Sequence, residues 1–253
     1  MPGAEGLTLA QYLLVALSAF GASVLGGVAG YGTGLLMPLV LVPLIGAEAV
    51  VPVISVSALF TNSSRVLAFR ALLDFRRALL VGGAALPGCL VGAWGYTRLS
   101  GPGVAVLIGA VLVLLVPLRR LLAHRVGDLT DRGLLGAGAG YGVLVGGTSG
   151  AGVVLLSILL AAGLSGQAVI ATDAAISFAL GFAKMAVFQS TGALTPSLWI
   201  VALVLGASAT PGAFVAKRLV RALSPRVHTG ILDAVVVLGG LMLIVQGLRG
   251  RAG

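Results

Sequence analysis

The chain has 253 residues, of which 58% are hydrophobic and 9% are charged, and its formal net charge is +9. A soluble domain averages about 25% charged residues, and several apolar runs reach the roughly 20 residues of a bilayer span, so a soluble globular protein is excluded. The basic residues cluster between apolar runs, where membrane orientation accounts for them, and nucleic acid is not expected as a partner. A single cysteine, Cys89, excludes an internal disulfide and a cysteine-based metal site. The composition predicts an all-α polytopic membrane protein.

Five apolar segments follow one another in the first half of the chain. The first ends at a glycine-rich run, Gly26 to Gly34, and the second is too short to span a bilayer comfortably. The predicted segments are Leu9 to Val28, Leu35 to Ile45, a long helix from Ala47 to Ala71, Ala78 to Tyr96, and Val104 to Leu118.

The polar stretch from Arg119 to Arg132 divides the chain near its midpoint, and the same order of segments returns after it. A second glycine-rich run, Gly146 to Gly152, again precedes a short segment. We predict a first transmembrane repeat at residues 1–120, a connecting loop at 121–132 and a second repeat at 133–253, with about eight to ten hydrophobic segments in all. The segments of the second half are Leu134 to Val145, Val153 to Leu164, Gln167 to Gln189, Leu198 to Val220, and Ile231 to Leu248.

The two halves align with each other at an offset of 120 residues. Residues 26–57 and 146–177 then share ten identities. Glycine- and leucine-rich composition inflates such a count, but the fixed order of the surrounding segments favours a true repeat, and internal repeats are typical of transporters. The identical positions are Gly26, Gly27, Gly30, Gly32, Leu35, Leu36, Leu39, Leu44, Gly46 and Ser57.

The basic residues of the connections indicate that the two repeats are inverted. They precede the fourth segment in the first half and follow it in the second, as expected when equivalent loops lie on opposite sides of the membrane. The positive-inside rule then places the central loop in the cytoplasm and both termini outside. If the short segments form re-entrant hairpins instead of crossing, the orientation stands and the number of spans falls. The face of the central loop carries Arg70, Arg76, Arg77, Arg119, Arg120, Arg125, Arg132, Lys217, Arg218, Arg221 and Arg226, and the other face carries Arg98, Arg249 and Arg251.

The glycine runs predict two helices that end inside the membrane, because glycine costs about 1 kcal/mol relative to alanine in a helix and readily adopts positive φ. Such a break is tolerated only where the freed backbone groups find protein or water partners, so it indicates a cavity. The helix N-termini that follow would direct N–H groups and a positive dipole end into that cavity, which suits an anion. The expected backbone and hydroxyl donors are Gly30, Gly32, Thr33, Gly34, Thr148, Ser149, Gly150 and Gly152.

Close helix packing is the alternative explanation for the glycines, since Gly26, Gly30 and Gly34 stand at small-xxx-small spacing. Duplication of the cluster before an undersized segment in each half favours the broken helix. A nucleotide-binding loop is disfavoured, because no strand or βαβ unit surrounds these glycines.

Arg65 and Lys184 are the two basic residues that lie well within predicted helices, and an intramembrane charge indicates function by default. Asn62 lies about 60° from Arg65 around its helix at 100° per residue. On the equivalent helix of the second half, Asp173, Ser177 and Lys184 fall within about 40° of one another. Each long helix therefore carries a polar stripe with one cation.

Snorkelling to the membrane boundary is the alternative explanation for both cations. It is weaker for Lys184, which would snorkel outward against the positive-inside bias. Asp173 is a candidate ion-pair partner of Lys184, but about 16 Å separates them along one helix, so a partner on another helix is preferred. Glu48 is explained by its place at the N-terminus of its own helix.

No metal site or cofactor is expected. His124 and His228 lie in predicted connections, far from a second candidate ligand. Because no Ser-His-Asp arrangement or paired-carboxylate motif lies at membrane depth, an enzyme is disfavoured.

With these features the chain resembles the sulfite exporter TauE/SafE family, also called the 4-toluene sulfonate uptake permease family. Each half opens with a glycine-rich break, Gly26 to Gly34 or Gly146 to Gly152, followed by a short segment and then by a long helix reached through Gly46-Ala47 or Gly166-Gln167. The resemblance implies a bacterial or archaeal inner-membrane transporter for sulfur-containing anions such as sulfite, sulfoacetate or other organosulfonates.

The mechanism we predict is alternating access around a site near the midplane, where the two breaks meet. Backbone N–H groups, hydroxyls, Asn62 and Ser177 would bind the anion. Arg65 and Lys184 would supply positive charge, and Asp173 is the candidate proton-coupling carboxylate. A passive anion channel with the same lining is the alternative. The expected partners are a small anion and the lipid bilayer, and the sequence leaves a homodimer open.

Overall fold

The computed structural model describes residues 7–26, 32–123, 129–219 and 225–249, and the secondary structure of these residues is helical, as the composition predicted. A 3₁₀ turn, Arg70–Leu72, follows the third α-helix. The α-helices are α1 Leu9–Gly26, α2 Gly32–Ile45, α3 Ala47–Phe69, α4 Phe75–Thr97, α5 Pro102–Ala123, α6 Asp131–Gly147, α7 Gly152–Ala161, α8 Gly166–Ser190, α9 Pro196–Leu219 and α10 Pro225–Arg249.

Three helices have the length of a bilayer span, and the outer surface of the bundle carries large apolar side chains. Helices α3, α4 and α8 each contain an apolar stretch long enough to cross a bilayer. Large apolar side chains lie on the outside of the bundle, with Leu9 77%, Leu17 70% and Leu238 68% exposed. Such a surface is unfavourable in water and suits contact with lipid tails.

Two helices extend further than their apolar runs. Helix α10 begins at Pro225 instead of Ile231, so His228, predicted in a connection, lies within it. The polar stretch was predicted to begin at Arg119, but α5 continues to Ala123. Leucine and arginine are both good helix formers, so the helix continues where the hydrophobic span has already ended. The predicted connection at residues 121–132 is correspondingly shorter, and its residues 124–128 lie outside the described part of the chain.

Several helix starts are fixed by side chains at their N-termini. Asp74 accepts a hydrogen bond from the backbone N–H of Arg77 at 2.9 Å and so caps α4. Because this N–H and the Arg77 guanidinium stabilise the carboxylate, the pKa of Asp74 lies below its ordinary value. Glu48 lies in the first turn of α3 as predicted, but its carboxylate accepts from the Gly101 N–H at 2.6 Å and so ties the start of α3 to that of α5.

Helices α6 and α7 form a hairpin that returns to the end of the bundle from which it started. The N–H of Leu129, just before α6, donates to the carbonyl of Ala161 at the end of α7 at 3.0 Å. Helix α7 has 10 residues, which is about 15 Å of rise and half the thickness of a hydrocarbon core. Helix α7 is therefore too short to span a hydrocarbon core by itself, as the sequence indicated for this segment.

The helices pack in pairs drawn from the two halves of the chain. Helix α4 packs against α6, α1 against α9, α3 against α8, and α5 against α10. In addition, α8 contacts α4, and α3 contacts α9. The two halves are thus interleaved rather than side by side.

Glycines allow α4 and α6 to approach until their backbones touch. A Cβ atom at Gly142 would lie 2.1 Å from the carbonyl oxygen of Ala85, and one at Gly146 would lie 2.2 Å from that of Cys89. The packing explanation therefore holds for Gly146, which belongs to the second glycine run, while Gly30 of the first run lies outside the described residues.

The close approach of α4 and α6 predicts opposite effects for two neighbouring substitutions. Gly142→Ala is expected to destabilise the protein by about 1–3 kcal/mol, because its methyl group forces the helices apart. Gly140→Ala on the same helix has nothing within 4 Å of the added atom, and we expect it to be neutral or to stabilise by up to about 1 kcal/mol. Thermal unfolding in detergent measures both. Equal unfolding temperatures for the two variants would contradict this packing.

Candidate functional site

The second glycine-rich run meets the described end of the first, at Gly34, inside the bundle. Helix α6 ends at Gly147, the chain is extended at Thr148, and α7 begins at Gly152 after a turn in which Gly150 has a φ of 81°. A Cβ atom at Gly34, in the first turn of α2, would lie 3.0 Å from the backbone nitrogen of Gly150. The N-termini of α2 and α7 are therefore in contact, and the first N–H groups of a helix have no acceptor within it. In α7 the N–H of Val154 already donates to the carbonyl of the N-cap residue Ala151 at 2.9 Å.

A cavity of about 100 Å³ lies at this junction, and we call it the polar cavity. Helices α2, α3, α6, α7 and α8 all contribute to it. Its lining includes most of the residues that the sequence singled out. Gly30 lies outside the described residues, and Gly32 is described only as the first residue of α2. The predicted residues that line it are Thr33, Gly34, Asn62, Arg65, Thr148, Ser149, Gly150, Gly152, Asp173, Ser177 and Lys184.

A buried ion pair crosses the polar cavity from α3 to α8. Nη2 of Arg65 lies 2.9 Å from Oδ2 of Asp173, and the two side chains are 12% and 5% exposed. Nη1 of Arg65 donates to Oδ1 of Asn62 at 3.2 Å. The carboxylate considered as a partner of Lys184 is thus paired with Arg65 instead, because α3 packs against α8 at this level.

Lys184 points toward the end of α6. Its Nζ donates to the carbonyl oxygens of Val145 at 2.7 Å and Thr148 at 3.1 Å, and the residue is 7% exposed. These carbonyls belong to the C-terminal end of α6, where freed acceptors and the negative end of the helix dipole attract a cation. Snorkelling is therefore wrong for Lys184. It is also wrong for Arg65, whose guanidinium is held by Asp173 inside the bundle.

Three buried polar atoms around the polar cavity have no hydrogen-bond partner among the described residues. They are Oη of Tyr141, Oγ of Ser149 and Oδ1 of Asp173, on residues that are 2%, 5% and 3% exposed. Leaving a buried donor or acceptor unpaired costs about 1–3 kcal/mol each, so three of them around one cavity indicate a site built for a polar ligand.

The hydroxyl groups of the lining differ in whether their protons are available for a ligand. Thr148 donates to the carbonyl of Leu144 at 2.6 Å, so its proton is engaged within α6. The Ser149 hydroxyl has no such bond. Tyr141 was missed by the sequence reasoning, and its one signal was a hydroxyl-bearing ring at membrane depth between small residues of α6.

The charges of the polar cavity favour an anion. Arg65 and Lys184 are positive and Asp173 is negative, so the described ionised side chains of the lining sum to +1. The N-termini of α2 and α7 add partial positive charge. Among the described residues, no three His, Cys, Asp or Glu side chains group closely enough to hold a metal ion.

A second, wider cavity of about 830 Å³ lies where α3, α5 and α9 begin and α4, α8 and α10 end, and we call it the wide cavity. Its described lining is mostly apolar and contains Glu48, whose carboxylate binds the Gly101 N–H. No Lys or Arg occurs in that described lining, so the wide cavity lacks the positive charge that distinguishes the polar cavity.

Comparison with known proteins identifies one family. The model of the family described as Sulfite exporter TauE/SafE matches residues 15–243, which include every residue of the polar cavity. No curated protein matches the chain. No solved structure matches it.

The contacts of Lys184 predict that it holds the α6–α7 turn in place. Lys184→Met retains an unbranched side chain but has no N–H donor for the Val145 and Thr148 carbonyls, so we expect faster hydrogen–deuterium exchange at residues 145–155 and a lower unfolding temperature. Arg98→Met is the matched control, since Arg98 lies over the ring of Trp94. If hydrogen–deuterium exchange at residues 145–155 is as slow in Lys184→Met as in Arg98→Met, this role is contradicted.

The Arg65–Asp173 pair predicts strong coupling between its two members. Asp173→Leu alone is expected to cost about 3–5 kcal/mol, because it removes the carboxylate from a buried guanidinium. Adding Arg65→Met should recover part of that loss, so the double-mutant cycle gives a coupling of about 1–3 kcal/mol. The exposed Arg76–Asp131 pair is the control, with an expected coupling of about 0–1 kcal/mol. Additive effects at Arg65 and Asp173 would refute the buried pair.

Proposed function

Since the chain belongs to the sulfite exporter TauE/SafE family, we propose that it is a secondary transporter which moves sulfite or a related sulfur-containing anion, such as sulfoacetate or another organosulfonate, through the polar cavity. The observation that carries this proposal is the junction of two helix breaks beside two buried cations. Preformed N–H groups at helix N-termini are general binding sites for oxyanions.

The anion in this proposal is held by groups from both halves of the chain. N–H groups at the starts of α2 and α7 contact its oxygens, with the hydroxyls of Thr33 and Ser149. Asn62 and Ser177 contribute further polar contacts. Arg65 and Lys184 supply charge, and because Lys184 makes two bonds to carbonyls, its ammonium group retains a third N–H for the ligand.

The helix pairing supports two inverted repeats, α1–α5 and α6–α10. In this arrangement α1 corresponds to α6, α2 to α7, and so on to α5 and α10. If each helix is replaced by its counterpart, the α4–α6 pair becomes α9–α1 and the α4–α8 pair becomes α9–α3. The α3–α8 and α5–α10 pairs stay the same. This is the pattern that a pseudo-two-fold axis produces. The polar cavity lies between α3 and α8, at the axis, and alternating access is a rocking of one repeat against the other around it.

Proton coupling through Asp173 follows from its pairing with Arg65. An anion that binds Arg65 competes with the Asp173 carboxylate, and a proton shared between the anion and this carboxylate removes the competition. Anion and proton therefore favour each other's binding, which is the requirement for carrying them together.

Membrane orientation follows from the basic residues at one end of the bundle. Arg76 pairs with Asp131, so the starts of α4 and α6 lie together. In this proposal that end, with residues 121–132, faces the cytoplasm, and the protein lies in the inner membrane.

The proposal predicts that both buried cations are required for anion binding. Sulfite binding to purified protein should weaken at least about tenfold in Arg65→Ala and in Lys184→Ala, since each variant removes a buried positive charge worth more than about 1.4 kcal/mol. Arg76→Ala, which removes an exposed arginine, is the control and should bind normally. Unchanged affinity in both cavity variants would refute the site.

In proteoliposomes, saturable counterflow supports a carrier, whereas non-saturating conductance supports a passive anion channel.

A further inference from the structure

The polar cavity contains an unpaired acceptor as well as unpaired donors. The hydroxyls of Tyr141 and Ser149 can donate to a ligand, but Oδ1 of Asp173 is a carboxylate oxygen and can only accept. An anion whose oxygens are all acceptors satisfies the two hydroxyls and leaves this carboxylate oxygen unpaired. A ligand with both acceptors and one O–H donor satisfies all three atoms.

The charge of the cavity agrees with this requirement. The described side chains around it sum to +1, so a singly charged anion neutralises the site and a doubly charged one leaves an excess negative charge in the interior. Oxygens of a dianion placed beside Asp173 would also repel its carboxylate at short range.

The charged and titratable groups on the elements packed against α8 fit this account. They include Arg70 of the 3₁₀ turn and Cys89 on α4, whose thiol donates to the Leu180 carbonyl at 3.8 Å. Arg65 and Asn62 face Asp173 from α3, and Tyr141 faces it from α6. The N–H of Asp74 donates to the hydroxyl of Thr172, which brings the Asp74–Arg77 pair from the start of α4 close to this part of α8. Of these charged groups, Arg65 contacts the Asp173 carboxylate and does so through Oδ2, so Oδ1 remains directed at a ligand.

We propose that the polar cavity binds its oxyanion in the singly charged, protonated form, with the O–H of the anion donated to Oδ1 of Asp173 and its other oxygens bound by the Tyr141 and Ser149 hydroxyls and the helix N-termini. The inference rests on the proposed function and specifies it further. The proton that enters with the anion stays bonded to the anion and is hydrogen-bonded to Asp173, so no bond is broken. For sulfite the bound species is hydrogensulfite.

The pH dependence of sulfite binding to the intact wild-type protein tests this inference. Above the pH at which hydrogensulfite loses its proton, the apparent dissociation constant for total sulfite should rise about tenfold per pH unit, because the protonated fraction falls by that factor. Methanesulfonate, which is singly charged and has no O–H, reports titration of the protein itself, and the tenfold rise for sulfite is measured relative to it. Sulfite affinity that stays constant or increases over the same range overturns the inference.

Asp173→Asn provides a second and independent test. The substitution raises the charge of the site to +2 and replaces the carboxylate by an amide that can donate, so binding of sulfate relative to hydrogensulfite, measured at a pH where hydrogensulfite predominates, should increase at least about tenfold. Asp131→Asn removes an exposed carboxylate and should leave the ratio unchanged. An unchanged ratio in Asp173→Asn overturns the inference while the transporter proposal stands. If the wild type binds none of the three anions, the proposed function fails and the inference fails with it.

Discussion

Backbone groups that are released where a helix ends inside an apolar protein must find new partners, and the site described above depends on this requirement. At the end of α6 the freed carbonyls are bound by Lys184, a buried cation from α8. Just before α7, Gly150 meets Gly34 at the start of α2, and both residues line the polar cavity. The same break thus holds Lys184 inside the bundle and provides donors for the proposed ligand. Lys184 therefore has a structural role, in binding the freed carbonyls, together with its proposed role in binding the anion.

The ion pair between Arg65 and Asp173 gives the cavity its second property, a charge that a ligand or a proton can alter. A buried pair of this kind contributes little net stability compared with apolar packing, which makes a functional reason for retaining it more persuasive. The wide cavity provides the contrast. It is larger and mostly apolar, and the carboxylate of Glu48 within it is already bound by the Gly101 N–H. Volume alone would favour the wide cavity, whereas buried charge and unpaired polar atoms favour the polar cavity as the proposed binding site.

The helices and most of the residues that line the polar cavity could be predicted from the sequence, because both follow from local signals. Apolar runs define helix bounds to within a few residues, and Arg65 and Lys184 stand out as charges in apolar helices. The partners of those charges depend on which helices touch, and this depends on close packing of surfaces that a single sequence does not reveal. For that reason Asp173 was considered with Lys184 instead of Arg65, and Tyr141 was missed. The extension of α5 through Arg119 was missed because polarity marks the end of a span and not the end of a helix.

The central claim is that an oxyanion binds where the two helix breaks meet. Anomalous diffraction from crystals of the protein grown with selenite, a heavier analogue of sulfite, tests it most directly, because the selenium position is read without assuming any contact. The account predicts one selenium peak in the polar cavity, within hydrogen-bonding distance of the N-terminus of α7 and between Arg65 and Lys184. A selenium peak in the wide cavity, with none in the polar cavity, would contradict it.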